Sequence, residues 1–354
     1  MKTAVEMLGR HYVESGAARL LITPGARDRV EHTPGGTVAQ VRAPRVGGGY
    51  RLIVEPWRVL EVLMRFRPTS LEISDKSTLL PVTGWARRAG VGCVLFSHER
   101  LDAMISLRTG WQVGAGVSLL NWVLARRFDA IVVTSRFAAQ EFTAHAAPLH
   151  RVPLGVDLDV FHPGCGEPVD DGVLKLVHVG RLSREKSPHL AVATVIALHR
   201  RGVPVRMDVF GSGPHEDELR TMARGAPVWF HGHVGDRRRL AARLSSADIA
   251  VSVCPGETFG LAILEALACG TPVVTADRGG GAELIDADCG EQGAPEPEAL
   301  ADAVLRLDER DPGACRKAAR RRAQDFRWAD TARAMLALHR RVTAGGVADT
   351  GIAS

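Results

Sequence analysis

The segment Pro255–Val274, PGETFGLAILEALACGTPVV, gathers the residue types needed to hold a diphosphate with a hydroxyl-bearing group on either side. Glu257 falls in a turn after a strand-like apolar run, and Phe259, Gly260 and Leu261 open the helix that follows. The first N–H groups of a helix have no partner inside it, and the helix dipole adds positive potential, so such a spot attracts anions. Gly260 lets an anion approach the backbone closely. Glu265 lies about 9 Å further along the axis at ~1.5 Å per residue. Two carboxylates at the ends of a phosphate cradle match a sugar, a diphosphate and a ribose in a row, which is the layout of a nucleotide sugar. A surface glutamate plus a capping glutamate would explain either acid singly, but not their coincidence with the glycine and the helix start.

A second stretch, HVGRLSREKSP (His178–Pro188), stands at the end of another apolar run. Arg181 and Lys186 are spaced to neutralise a leaving diphosphate, at about 1.5–3 kcal/mol for each charge-assisted bond. FGSGP places Gly211 and Gly213 after the next strand, either as a tight turn or as a donor contact. HGHVGD offers His233 and Val234 for backbone contacts to a base. His231 and His233 lack a third metal ligand nearby in sequence. The acidic triplets at Asp157–Asp159 and Asp286–Asp288 are too short a pattern to count as metal sites, so no metal and no cofactor is expected. In the first half, FSHERLDA sets His98 just past a buried strand, where it either faces the sugar across a cleft or caps the core; Glu99, Arg100 and Asp102 would hold that loop.

These residues need a scaffold. The second half alternates apolar runs with helical patterns: strands at 174–182, 203–210, 228–230, 249–253 and 272–275, and helices at 188–202, 215–224, 237–247 and 259–269. Ser187 is expected to cap the first of these helices, with Pro188 in its first turn. Repeated βα units imply a parallel sheet whose ligands bind beyond the carboxyl ends of the strands. The first half is less regular, with strands at 19–23, 37–41, 71–73, 92–96 and 130–133 and helices at 56–66, 79–89, 119–127 and 138–144. Pro and Gly cluster at Val152–Gly164, which divides the chain into domains 1–163 and 164–326; residues 329–342 read as an amphipathic helix, and 343–354 as a disordered tail. The chain opens directly with a helix in which Val5, Leu8 and Tyr12 share a face and Gly16 ends it. A Rossmann-like domain is expected to open with a strand and a glycine-rich turn. Their absence reads as a truncated or reduced start.

At 354 residues the chain is long enough for two domains, and 45% hydrophobic with 24% charged residues is ordinary for a globular protein. No apolar run approaches the ~20 residues that span a bilayer. Glu6, Arg10, His11 and Glu14 interrupt any signal-like segment, so a cytoplasmic location is expected. Six scattered cysteines read as reduced thiols. The net charge of +5 is uneven: residues 1–163 carry 20 Lys+Arg against 14 Asp+Glu, and the remainder 25 against 26. A basic first half suits an anionic partner, and the Trp- and Arg-bearing stretches 56–66 and 111–127 suit an anionic membrane, although ordinary amphipathic helices look the same. No nucleic-acid role is expected.

With these motifs assembled, the chain resembles the GT-B glycosyltransferases, in particular the retaining family 4 group. The pair Glu257 and Glu265, the GRLSREK stretch and CGTPVV carry the resemblance together. SHERLDA, VPLGVDLDVFHP and ETFGLAILEALACGTPVV look like the GDP-mannose-dependent α-mannosyltransferases of actinobacterial glycolipid and lipomannan synthesis. The resemblance implies two Rossmann-like domains facing a cleft, with a final helix that crosses back to the first. It implies that Glu257 holds the hexose hydroxyls and Glu265 the ribose, and that Arg181 and Lys186 bind the diphosphate. Amides of Phe259, Gly260 and Leu261 would meet the same diphosphate, and His98 would face the sugar near the reacting carbon. Members need no metal. The acceptor would be a lipid-linked or other glycan, and its hydroxyl would attack on the face the nucleotide leaves, with the diphosphate taking the proton. In the family, the loop absent here contacts the donor phosphate and shapes the acceptor site. The alternatives are a UDP-sugar-dependent transferase, a non-catalytic relative that only binds a sugar nucleotide, a sugar-nucleotide epimerase, or a phosphorylase. The last would need a lysine for pyridoxal phosphate, and the chain has Lys2, Lys76, Lys175, Lys186 and Lys317.

Overall fold

A computed structural model describes residues 2–46, 51–98, 100, 114–166 and 171–348. The opening helix α1 (Lys2–Glu14) buries Ala4, Met7, Leu8 and Tyr12 at helical spacing, and Gly16 closes it with φ 82°. β1 (Leu20–Gly25), β2 (Arg29–Thr33) and β3 (Gly36–Arg42) form a small sheet in the order β1-β3-β2, with β1 and β3 parallel and β2 antiparallel to β3. The sequence reading missed β2 because RVEHT is mostly exposed and has no apolar alternation. A separate parallel sheet holds β4 (Ser70–Ile73), β5 (Gly92–Ser97), β6 (Ala130–Val133) and β7 (Leu149–Arg151), in chain order. The first half therefore has two sheets, ended by β1 and β4 among others, and Leu20–Thr23 of β1 stay half-buried.

Side-chain alternation along β5 and β6 explains the layers. Cys93, Leu95, Ile131 and Val133 face helices α2 (Pro56–Phe66), α3 (Leu80–Arg88) and α4 (Gly114–Arg127), which contribute Val59, Leu63, Val82, Ala86 and Leu124. Val94, Phe96, Ala130 and Val132 face the opposite way, toward α1 and the last helix of the chain. The helix expected at 138–144 is instead a single turn, α5 (Arg136–Ala139), followed by a 3-10 turn at Gln140–Phe142. Ser135 sets its start by accepting a hydrogen bond from the Ala138 amide.

The second half is more regular. In chain order it comprises β8 (Leu174–Val179), α6 (Pro188–Arg200), β9 (Val205–Phe210), α7 (Glu216–Met222), β10 (Val228–Gly232), α8 (Arg237–Ser245), β11 (Ile249–Ser252), α9 (Leu261–Ala268), β12 (Val273–Ala276) and β13 (Gly290–Gly293). Helices α10 (Pro297–Asp308), α11 (Pro312–Gln324) and α12 (Trp328–Ala348) complete the chain. All six strands are parallel, in the order β10-β9-β8-β11-β12-β13. The chain runs outward from β8 to β10 and returns to β11, so the topological switch lies between β8 and β11.

Two details differ from expectation. Ser187 does not cap α6: it sits in the left-handed region at φ 48°, and its hydroxyl turns back toward the Arg184 carbonyl. A 3-10 turn at Arg184–Lys186 brings the chain into the helix from that side, and Pro188 holds the first turn as expected. The last helix runs on to Ala348, past Thr343 where a disordered tail was expected. Thr343 lies within it and donates to the carbonyls of Thr69 and His339. α12 packs on α1, β4 and β5, with His339 bonded to Glu72 and Val342 against Gly92.

The chain passes between the halves twice, at nearly the same place. Val156 N donates to Phe326 O at 2.9 Å, and Val156 and Arg327 form a parallel bridge. A Cβ on Gly155 would lie 2.3 Å from the Trp328 nitrogen, so only glycine lets the two crossings touch.

Candidate active site

The loops that follow β8 and β11 meet at the switch point, where parallel α/β sheets bind their ligands. Lys186 Nζ donates to Glu257 Oε2 at 2.7 Å, with the lysine about half exposed and the glutamate largely buried. The Cys254 thiol donates to the Glu185 carbonyl at 3.1 Å and ties the two loops together. Arg181 lies on the same loop, half exposed, with NH1 3.9 Å from Glu185. The result is a cation, a carboxylate and a second cation at the ends of adjacent strands. Two of them can meet phosphate oxygens and one can accept sugar hydroxyls.

Helix α9 starts beside Glu257 without a side-chain cap. Gly260 sits at φ 103°, a region open to glycine, and a Cβ there would be 2.8 Å from Ile263 Cδ1. Phe259 is buried, and its ring meets that of Phe326 edge-on at 6.3 Å. One turn into the helix, Glu265 lies 3.7 Å from Arg237, the first residue of α8, while Arg237 also reaches Asp157 at 3.4 Å. Burial pushes the Glu265 carboxyl up to about 7; Arg237 opposes the rise and Asp157 adds to it. Sequence reasoning did not find Arg237, because RRRLAARLS reads as a generic basic helix and the contact to Glu265 spans several elements.

The glycines after β9 have a packing reason. A Cβ on Gly211 would fall 1.8 Å from the Gly180 carbonyl oxygen, and one on Gly213 2.2 Å from that of Leu182. They let the β8 and β9 loops lie backbone to backbone. His231 stacks on Phe210 at 4.8 Å and bonds Asp208 at 2.6 Å, so it turns away from a shared site with His233. His233 is exposed and Val234 half-buried on the β10 side. The acidic triplets are used in turns: Asp157 accepts from Val160 N, and Asp286 from the amides of Asp288 and Cys289. Among the described residues, no group of three or more His, Cys, Asp or Glu is arranged to hold a metal. All six cysteines are free thiols.

From the first half, His98 reaches the same region. Thr258, next to Glu257, donates its hydroxyl to the His98 carbonyl at 2.8 Å. Arg100 bonds the Phe137 carbonyl and the Gln140 side chain, as expected of a residue that holds the loop, whereas Glu99 and Asp102 lie outside the described residues. A further contributor went unread. Gly279–Gly281 follow β12 and fold over the Glu257 turn, with Gly279 at φ 93° and Gly280 N donating to Glu257 O. Three consecutive glycines after a strand of the same sheet were the available signal.

A basic, divided α/β half facing a regular parallel half, with cations and carboxylates gathered at the switch point, defines a nucleotide-sugar transferase of two Rossmann-like lobes. Consistent with this, residues 1–155 match the glycosyl transferase 4-like domain and residues 174–310 match the glycosyl transferases group 1. The chain belongs to the group 1 glycosyltransferases and is a glycosyltransferase of GT-B fold. It is 40% identical over 351 residues to the GDP-mannose-dependent α-(1-6)-phosphatidylinositol dimannoside mannosyltransferase of Mycobacterium tuberculosis, covering 95% of this chain and 91% of that protein. Among solved structures, sucrose-phosphate synthase from Thermosynechococcus elongatus shares the fold with a TM-score of 0.77 at 22% identity, over 96% of this chain and 93% of that one. Anabaena HepE in complex with UDP-glucose does so with a TM-score of 0.73 at 17% identity, over 95% of both chains.

Proposed function

We propose that the protein transfers mannose, with retention, from GDP-mannose to a glycolipid acceptor of the phosphatidylinositol mannoside type. The 40% identity along nearly the whole chain to an enzyme whose name states that donor and acceptor carries this reading. In the mechanism, Glu257 holds hexose hydroxyls and Glu265 the ribose. Arg181 and Lys186 neutralise the diphosphate as it leaves, replacing the ion pair Lys186 makes with Glu257 in this structure. Amides at 259–261 add further donors to the same charge, and stabilisation aimed at developing charge is the strongest lever such a site has. His98 faces the sugar, Gly211 and Gly213 shape the phosphate loop, and His233 with Val234 border the base. The acceptor hydroxyl attacks on the leaving-group face and the diphosphate takes its proton. Arginine and lysine do the work that a divalent cation would otherwise do, so turnover is expected to survive excess EDTA.

The cytoplasmic face of an anionic membrane is the proposed working location. Among the described residues, seven of the nine large apolar side chains left exposed lie in the first half, including Trp57 and Met64 on α2 and Leu119 and Trp122 on α4. Arg126 covers the Trp122 ring at 4.1 Å, and α3 and α4 each end on paired arginines. Aromatic and aliphatic groups flanked by arginine suit an anionic lipid surface. No helix among the described residues is long and apolar enough to cross a membrane.

Calorimetry with GDP-mannose, UDP-glucose and UDP-GlcNAc, paired with transfer of labelled mannose to phosphatidylinositol mannosides, tests the donor and the acceptor. Binding and transfer with GDP-mannose are expected. Turnover with a UDP-sugar alone overturns the donor assignment.

A further inference from the structure

Among the described residues, every hydrogen bond of Thr258 crosses from the second half of the molecule to the first. Its hydroxyl donates to the carbonyl of His98 at 2.8 Å. Its own carbonyl accepts from Ser135 Oγ at 2.6 Å and from Thr134 Oγ1 at 3.3 Å. Ser135 at the same time caps α5 by accepting from Ala138 N. Gly280 closes over the contact: a Cβ there would lie 2.2 Å from Thr258 O and 2.8 Å from Ser135 Oγ. Three residues on, Glu283 accepts from the amides of Arg136 and Phe137 at 3.0 and 2.8 Å, so a carboxylate of the second half holds the start of a first-half helix. That carboxylate is largely buried, with Arg136 and Arg151 beside it.

We propose that Thr258 is a positioning residue whose hydroxyl sets the distance between the His98 loop and the Glu257 turn, with Glu283 as the second point of the same clamp. The inference rests on the reading that His98 and Glu257 face the donor sugar. Thr258 is the covalent neighbour of Glu257, and its partner is the backbone of His98. One bond therefore joins the two loops directly, without passing through the double crossing at Gly155 and Trp328. Glu283 adds a fastening on the far side of Ser135, so the loop pair is fixed at two points and resists rotation as well as separation. A reacting centre shared between two lobes needs this, because a misplacement of about 1 Å costs roughly a hundredfold in rate.

The test compares Thr258→Val, which keeps the shape and removes the donor, with Thr258→Ser, which keeps the donor. Turnover, donor KM, donor affinity by calorimetry and thermal midpoint are read for each. Thr258→Val is expected to lower kcat about 10–100-fold, while donor affinity stays within about threefold because the diphosphate and ribose contacts are untouched. Thr258→Ser is expected to restore most of kcat. Glu283→Gln, which turns an amide toward two backbone N–H groups, gives the same split and serves if Thr258→Val does not fold. Wild-type kcat in Thr258→Val or in Glu283→Gln overturns the proposal, as does an equal loss of kcat and donor affinity. Glu257→Ala separates the two claims. If it is inactive while Thr258→Val is fully active, the clamp fails and the site reading stands. If Glu257→Ala turns over normally, the site reading fails and the clamp with it.

Discussion

The two halves of this molecule are built from the same βα vocabulary but to different tolerances. The second half is one six-stranded parallel sheet with loops packed backbone to backbone at Gly211, Gly213 and Gly280. The first half is two smaller sheets, with a half-buried strand at β1 and exposed tryptophans on α2 and α4. On the proposed reading, the difference matches the ligands each half would serve. A nucleotide diphosphate has one shape, and a rigid cradle holds it with little loss on binding. On the same reading the first half meets a lipid-linked glycan, which is long and presented from a surface, and a basic half with uncovered apolar groups would suit it.

The comparison breaks first at Glu257. Glu257→Ala is expected to lower turnover about a thousandfold, on the scale of losing one group aimed at transition-state charge, with an unchanged far-UV spectrum because the residue sits in a turn. A soluble variant with normal turnover removes the donor half's claim to the chemistry.

A contrast in packing sharpens it next. Gly211→Ala forces a Cβ to 1.8 Å from the Gly180 carbonyl at φ 147°, and more than ~3 kcal/mol of stability should go, because neither backbone can yield cheaply. Gly90→Ala, at φ 67° with open space around it, should cost about 1–2 kcal/mol, the penalty of the left-handed region alone. Urea melts of both variants decide the matter; equal losses would show that the β8 and β9 loops can yield where their backbones touch.

Glu265 comes third. Its carboxyl is pushed up to about 7 by burial, and on the proposed reading it is ionised when it accepts from the donor ribose. Donor affinity should therefore weaken as pH falls through 7, and binding near pH 7 should release protons, which calorimetry in buffers of different ionisation enthalpy measures. Glu265→Ala should flatten that dependence and weaken the donor by about 1.5–3 kcal/mol. An unaltered pH profile assigns the titration elsewhere.

The smallest effect belongs to the first half. Trp122→Ala and Trp57→Ala should each reduce sedimentation with phosphatidylglycerol vesicles severalfold, about 1 kcal/mol at ~25 cal/mol per Å² of apolar area, and leave donor affinity alone. Unchanged vesicle binding in the double variant would leave the exposed rings without a role.

What could be read in the sequence tracks burial. β5 and β6 were legible because GCVLFS and AIVV are continuous apolar runs buried on both faces, and β8 and β9 because apolar residues alternate with Lys175, Arg206 and Asp208 along LKLVHV and VRMDVF. Lys186 and Glu257 drew notice as loop residues after such strands, and Glu265 as the acid in the helix that follows. β2 and β13 carry RVEHT and GEQG, which have no apolar pattern. α11 buries Cys315, Ala318, Ala319 and Ala323, residues too small to stand out among its arginines. Arg237, Thr258 and Glu283 are ordinary in sequence and acquire meaning only through contacts that span 28, 160 and 147 residues, to Glu265, His98 and Arg136. Pairings at such separations leave no periodic trace.

The double crossing at Gly155 and Trp328 has a mechanical consequence. A single linker works as a string and lets two bodies drift, tumble and part. Two strands of chain pressed together at one spot, and bonded from Val156 to Phe326, work as a hinge pin. Any rotation left to the lobes is about a line through that spot, and the bonds from Thr258 to His98 and from Glu283 to Arg136 oppose it. With one axis set at the pin, those bonds close at one alignment of the lobes, so the same surfaces meet whenever they form.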